Sequence, residues 1–255
     1  MKTAIYALIF SCFTMVSSHV HAQRNVRDSI IPTTWLIVHY AGGIPNGDLA
    51  DRYGYLSHVG VFAGYKTRRN WVFGIDGNFM FGSKVRLTGL FDHLVDSKGN
   101  ITDQNGDVST VRVMPRGFYT NVVVGKVLHI LSPNPNSGVY VNFGVGYLLH
   151  KLRVETQDHV VPQIELDYRK GYDRLTTGIN TSQFIGYALM ADDSPINFYA
   201  GFFAQQGFTH NRRTINFDSP EIPVSTALRL DLQYGFKVGW MIPVYQRKPK
   251  EFYFD

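Results

Sequence analysis

The sequence predicts an all-β protein, a single antiparallel up-and-down barrel of eight strands that crosses a membrane. Three observations predict it: long segments that alternate apolar and polar residues, connections that alternate between short and long, and an apolar leader at the start of the chain. A strand that crosses a bilayer needs roughly 9–11 residues, whereas strands of globular proteins usually have about 5–6. A sheet in lipid must close on itself, because hydrocarbon offers no partner to unpaired backbone N–H and C=O groups.

The leader has the three parts of an export signal. Lys2 supplies a positive charge, residues 3–18 are mostly apolar, and Val20-His21-Ala22 has the small-x-small pattern that signal peptidase cleaves. We therefore predict that residues 1–22 are removed and that the mature chain begins at Gln23. Removal also takes away Cys12, the one cysteine of the chain, so the mature fold is expected to have no disulfide.

Alternation of period two predicts the strands. The clearest segment is 227–242, where every even-numbered residue from Leu228 to Ile242 is aliphatic or aromatic and the odd-numbered residues include three charges and two glycines. Residues 71–82 and 139–150 repeat the pattern. Five further strands are less regular, at residues 34–41, 56–65, 113–128, 177–190 and 197–206. Both faces of the fourth and sixth strands mix polar and apolar residues, so their inward faces stay open at this point.

The connections complete the topology. Short turns rich in Pro, Asn, Asp and Gly lie at 66–70, 132–138 and 191–195, and long loops lie at 42–54, 83–112, 151–176 and 207–226. Strict alternation of three short and four long connections is typical of outer-membrane barrels with both termini at the periplasmic, short-turn end. A secreted β-sandwich is the alternative, and the strand lengths and the leader weigh against it.

The last predicted strand carries a pattern of its own. Gln233, Gly235, Val238 and Trp240 form the series polar-x-Gly-x-x-hydrophobic-x-aromatic. The series resembles the β-signal of outer-membrane barrels, which implies an integral outer-membrane protein that is recognised by the barrel-assembly machinery. Many such barrels end at the aromatic residue, whereas fifteen residues follow Trp240 here. The whole chain also resembles small outer-membrane barrels of Bacteroidota, in its Gly-Asp-Leu-Ala segment at 47–50 and its C-terminal Phe252-Tyr253-Phe254.

An eight-stranded barrel is only wide enough to hold its own side chains. Polar residues on the predicted inward faces have mixed charge, and we expect them to form a self-satisfied plug in which Arg229 and Lys237 find carboxylates such as Asp231 and Asp76. The full set is Asp76, Asn78, Asn142, His150, Arg229, Asp231, Gln233 and Lys237. A narrow solute pore is the alternative.

Other chemistry finds little support in the sequence. The histidines show no metal-ligand spacing and the mature chain has no cysteine, so we predict neither a metal nor a cofactor. A net charge of +5 without a dense Lys/Arg cluster excludes nucleic acid as a predicted partner.

An outer-membrane enzyme acting on lipid or peptide stays an alternative, with His150, Asp173 and Ser182 as its candidate catalytic residues, but no Gly-x-Ser-x-Gly elbow is present. The Asp-rich segment 96–107 does not fit an EF-hand, and its Lys98-Gly99 and Asn105-Gly106 pairs predict turns of a hairpin.

Two segments have the Tyr and Arg composition of protein contacts. Tyr168, Arg169, Tyr172 and Arg174 lie in the third long loop. Pro243 predicts the end of the last strand, which gives a barrel of residues 23–243 and a periplasmic tail of residues 244–255. The tail contains Arg247, Phe252, Tyr253 and Phe254, which either dock a partner or complete the assembly signal.

The sequence thus favours a non-enzymatic structural or interaction component, such as an accessory subunit of an outer-membrane secretion or assembly machine.

Overall fold

The computed structural model describes residues 29–157, 160–191 and 197–244. The predicted signal peptide, with Cys12, lies outside the described residues, and so do the tail residues Arg247, Phe252, Tyr253 and Phe254. None of the described helices is long and apolar enough to cross a membrane.

Eight long strands of the described chain close into one antiparallel barrel, which confirms the predicted fold class. Each strand pairs with the next along the chain, and the first pairs with the last to close the ring. The barrel strands are β1 Thr33–Gly47, β2 Leu56–Lys66, β3 Trp71–Phe81, β5 Val108–Leu128, β6 Gly138–Gln157, β7 Thr176–Leu189, β8 Phe198–Asn211 and β9 Arg229–Val244.

A ninth strand, β4 at Ile101–Thr102, lies outside the ring and pairs with the start of β5. It belongs to the predicted hairpin, whose turns are closed by Gly99 N–H donating to the Asp96 carbonyl at 3.0 Å and Gly106 N–H donating to the Asp103 carbonyl at 3.1 Å. The prediction of turns in this segment is confirmed.

The strands run further than the alternation predicts. At the long-loop end, β1 continues to Gly47, β6 to Gln157 and β8 to Asn211. The first residues of the predicted loops that follow these three strands therefore belong to the strands. The alternation is less regular there, although Leu152 and Val154 still pack in apolar clusters, and the ladder continues because a neighbouring strand offers its backbone groups. The prediction that Pro243 ends the last strand is also wrong, since Val244 pairs with Thr34 and a proline removes only its own donor.

The side-chain pattern settles the inward faces of β5 and β7. Tyr119 and Asn121 point into the barrel from β5, and Asn180 and Phe184 do so from β7, whereas Val122 on the outer wall is 70% exposed. These two strands are ambiguous in the sequence because the barrel interior holds large aromatic rings as well as polar groups. The rings pack with Trp35, Tyr140 and Tyr199 in the core of the short-turn half.

A short helix, α1 at Asp48–Arg52, closes the long-loop end of the barrel. Its Leu49 is buried against residues of the barrel mouth, in a cluster with Tyr53, Leu56, Met80, Leu90 and Leu152. The Asp48 carboxylate accepts from the backbone N–H of Leu230 at 2.6 Å, and the Asp48 carbonyl accepts from Arg229 at 2.6 Å. Since α1 follows β1 and both of these donors belong to β9, the helix ties together the first and last strands.

Candidate functional site

The middle of the barrel holds a buried ion pair. Lys237 Nζ lies 3.1 Å from an Asp76 carboxylate oxygen, and His39 Nε2 lies 3.4 Å from the other oxygen of the same carboxylate. His39 Nε2 is also 2.7 Å from the Asn78 side-chain oxygen. The cation and carboxylate come from β9 and β3, which are not neighbours in the ring, so the pair spans the interior.

A second buried cluster lies below α1. His150 Nε2 is 2.9 Å from the Asp231 carboxylate, which also accepts from the Thr209 hydroxyl at 2.5 Å and lies 3.5 Å from Arg229. The other ring nitrogen of His150 is 3.0 Å from the Tyr53 hydroxyl. Asp231 is therefore the common partner of a cation, an imidazole and a hydroxyl. Asp231, His150 and Thr209 are buried, and Arg229 is partly buried.

The remaining interior space is small. Gln233 bonds to His58 at 2.7 Å, and Asn121 donates to Ser182 at 3.1 Å and accepts from Asn180 at 2.9 Å. Asn142, with other polar residues and several aromatic rings, lines an interior cavity of about 20 Å³, which is room for about one water molecule. Every interior residue named from the sequence thus faces this filled lumen, and the partners that the sequence did not single out are His39, His58, Tyr53 and Thr209. Their joint action as a plug stays a prediction.

This packing leads to the first functional test. The purified protein in planar bilayers is expected to show no steady ohmic conductance, because the Lys237–Asp76 pair and the packed aromatic rings lie across the lumen. A gel-mobility shift on heating the same sample checks that the reconstituted barrel is folded. A large and stable single-channel current would contradict the plug and favour the pore.

The ingredients of an enzyme do not come together. His150 pairs with Asp231, Asp173 forms an ion pair with Arg213, and Ser182 accepts from Asn121. Thr176, the residue of β7 opposite His150, is six residues from Ser182, or about 20 Å along the strand. Within the part of the chain that the structure describes, no three His, Cys, Asp or Glu side chains are close enough to hold a metal ion.

The four loop residues predicted for partner contact lie in the cap of loops above the barrel, and their surroundings differ. Arg174 reaches both carboxylate oxygens of Asp218 at 2.6 and 2.7 Å, and Arg169 pairs with Glu165 at 2.6 Å. Tyr172 is only 2% exposed, whereas Tyr168 is 59% exposed. Tyr172 and Arg174 therefore hold the cap together, and Tyr168 is the member of the set that a partner reaches most easily.

Tyr172 also organises an aromatic pocket. The His93 ring stacks on it with centroids 5.8 Å apart and a His93 Nε2 to Tyr172 hydroxyl distance of 2.8 Å, while Phe217 meets it edge to face at 5.6 Å. Removal from water raises the pKa of the Tyr172 hydroxyl, and the nearby Asp218 carboxylate adds to the rise. The hydroxyl therefore stays protonated at neutral pH and can donate to His93.

The pocket is largely apolar and has a volume of about 480 Å³. Three separate loops supply its walls, which are His93, Leu94, Pro162, Gln163, Tyr168, Tyr172, Phe217 and Pro220. Gly171 allows two of these loops to meet, because any side chain at this position would overlap the Phe217 ring. The ion pairs Arg174–Asp218 and Arg213–Asp173 join the same two loops, so the pocket is formed before any ligand arrives.

No family model and no curated protein matches the sequence. Solved structures similar to the chain include Neisserial surface protein A, with 14% identity over 80% of this chain and 96% of the other and a TM-score of 0.38. Ail, the attachment invasion locus protein of Yersinia pestis, has 10% identity, 83% and 98% coverage and a TM-score of 0.36. OprG from Pseudomonas aeruginosa has 8% identity, 85% and 99% coverage and a TM-score of 0.38. All three are small eight-stranded outer-membrane barrels.

Proposed function

We propose that the protein is an integral outer-membrane barrel whose short-turn end faces the periplasm and whose loop cap faces the outside. The apolar outer wall supports membrane insertion: Phe202 is 68% exposed and Val122 70%, and such rings and chains continue around the ring of strands. Contiguous exposed apolar surface of this extent is unfavourable in water and is expected for a wall that meets lipid. Export through cleavage of residues 1–22 is part of the same proposal.

The cap supports a binding role. Its preformed aromatic pocket is the observation that carries the proposal, because aromatic pockets ringed by ion pairs are typical anchor points for a partner's apolar side chain. The polar and aromatic packing of the interior argues against a solute route, and His150 and Ser182 lie at different levels of the barrel, so we give transport and catalysis less weight. The barrel then acts as a rigid anchor and the cap as a non-enzymatic interaction surface, as in an accessory subunit of an outer-membrane secretion or assembly machine.

Two parts of the proposal rest on the sequence alone. The tail, predicted as residues 244–255, stays a second candidate contact. Val244 is the last described residue of β9 and lies at the short-turn end of the barrel, which faces the periplasm in this proposal. The resemblance to barrels of Bacteroidota rests on residues 47–50, which form the end of β1 and most of α1, and on the C-terminal aromatic residues.

A substitution of Tyr168, the exposed residue of the pocket wall, tests the binding role of the pocket. Replacing Tyr168 with alanine is expected to weaken capture of the partner in mild-detergent pull-downs from the native membrane by about 10–100-fold, the effect of losing an anchor contact of about 1.5–3 kcal/mol. Val108→Ala is the matched control, since Val108 is an exposed apolar residue of the cap outside the pocket walls. Equal recovery of the partner by both variants, or no partner at all with the unchanged protein, would refute the binding role.

A further inference from the structure

The outer wall of the barrel carries a polar cluster where lipid would lie. Gln183 of β7 and Gln206 of β8 exchange amide hydrogen bonds at 3.0 and 2.9 Å, and the Thr181 hydroxyl donates to the Gln206 oxygen at 2.7 Å. The burial alternation along β7 and β8 places all three side chains on the outward face, since Asn180, Phe184 and Gln205 are the buried, inward residues. Gln183 also borders the interior cavity. Polar side chains on a lipid-facing wall are costly unless their hydrogen-bonding groups find partners.

The cluster has donors left over. A primary amide has two N–H groups, and each of these two glutamines uses one of them in the hydrogen bonds found among the described residues. One N–H of Gln183 and one of Gln206 therefore point to an environment that has no water. The chemistry that satisfies them is a hydrogen-bond acceptor carried by a mainly apolar molecule.

A groove begins beside these amides. Its open volume is about 650 Å³, and it crosses four neighbouring strands from β7 to β1. The small outward residue Ala204 lowers its floor, whereas Gly42 is covered by the Tyr55 hydroxyl. Larger apolar side chains form its sides, namely Ile44, Tyr55, Ile185, Phe202, Tyr234 and Phe236.

The depth of the cluster suits an acyl carbonyl. Along β8 the lipid-facing side chains run from Phe198 to Phe208, and the next outward residue, His210, bonds to the cap carbonyl of Thr226. Gln206 is two residues from Phe208, or about 7 Å along the strand. The amides thus lie near the cap-side edge of the apolar wall, close to the level at which ester and amide carbonyls join acyl chains to headgroups.

We propose that this groove binds an acyl lipid of the outer leaflet, with the chain over Ala204 and its carbonyl accepting from Gln183 or Gln206. The inference rests on the proposed membrane location. A second copy of the chain fits less well, because a two-fold contact places the same surface on both sides and two concave faces would enclose a void. An acyl chain is flexible enough to fill a concave surface, and the carbonyl at one end of it can accept a hydrogen bond.

Native mass spectrometry of the detergent-extracted barrel tests the site. We expect one lipid to be retained per chain, and its mass distinguishes a phospholipid from an outer-leaflet glycolipid. After delipidation, titration with palmitoyl-oleoyl phosphatidylethanolamine is expected to restore the adduct. Gln183→Leu/Gln206→Leu removes the donors and Ala204→Trp fills the groove, and each is expected to lower retention at least tenfold.

Thr120→Val is the matched control, because Thr120 is an outward polar residue on β5, away from the groove, and its loss should leave retention unchanged. Equal lipid retention by all variants would overturn the proposal. A dimer of the unchanged protein that becomes a monomer in the groove variants would also overturn it, because the groove would then bind a second copy of the chain. The proposed membrane location is tested separately by carbonate washing. Release of the unchanged protein from membranes would contradict that location.

Discussion

Replacing Asp231 with alanine is expected to lower the free energy of unfolding by about 3–5 kcal/mol, the usual effect of breaking a buried charge pair from one side. The carboxylate is the common partner of Arg229, His150 and Thr209, so its loss removes the one anion of this cluster and leaves the Arg229 charge with only the Asp48 carbonyl as its acceptor. The measurement is the temperature at which the compact gel form converts to the unfolded form.

Asp167→Ala is the control for this change. Asp167 also pairs with a cation, Lys170, but on the exposed surface of the cap, where solvent screens the interaction. We expect no measurable shift for this variant. A similar conversion temperature for both variants would show that the interior network does not stabilise the barrel.

Replacing Gly235 with valine is expected to block assembly almost completely. Gly235 faces Gly43 across the seam between β9 and β1, and any side chain at this position would overlap the carbonyl oxygen of Gly42. The last strand could then not close the ring. The glycine of the predicted assembly signal therefore has a steric role in addition to any recognition by the assembly machinery.

Gly77→Ala is the matched control, because a Cβ at Gly77 meets only the far end of Phe118 at 4.0 Å. The amounts of membrane-inserted, heat-modifiable protein compare the two variants. Normal insertion of the Gly235 variant would contradict the steric argument, and failure of the Gly77 variant would show that the barrel tolerates no added side chain of any kind.

Alternation along single strands was enough to predict the barrel, because one period-two pattern separates the two faces wherever the outside is uniformly apolar. It works for β9, from Leu230 to Ile242. It fails for β5 and β7, where inward Tyr119 and Phe184 are apolar and outward Thr120 and Gln183 are polar, so the two faces of these strands differ too little in polarity for the sequence to separate them.

The cap shows the other limit. His93, Tyr172 and Phe217 come from three loops separated by long stretches of chain, and nothing in their spacing brings them together. The sequence offered only the Tyr and Arg composition of residues 168–174, which includes Tyr172 but points to neither His93 nor Phe217. The outward Gln183 and Gln206 were equally hidden, since their significance depends on knowing which face of β7 meets lipid.

The seam between β1 and β9 has unequal ends. At the cap end, α1 adds the contacts of Asp48 with Arg229 and Leu230 to the backbone ladder, whereas at the other end the ladder stops with Thr34 opposite Val244. Among the described residues, β1 and β9 are therefore held by more contacts at the cap end than at the short-turn end. If the two strands are pulled apart mechanically, we expect them to separate first at the short-turn end and last beside α1.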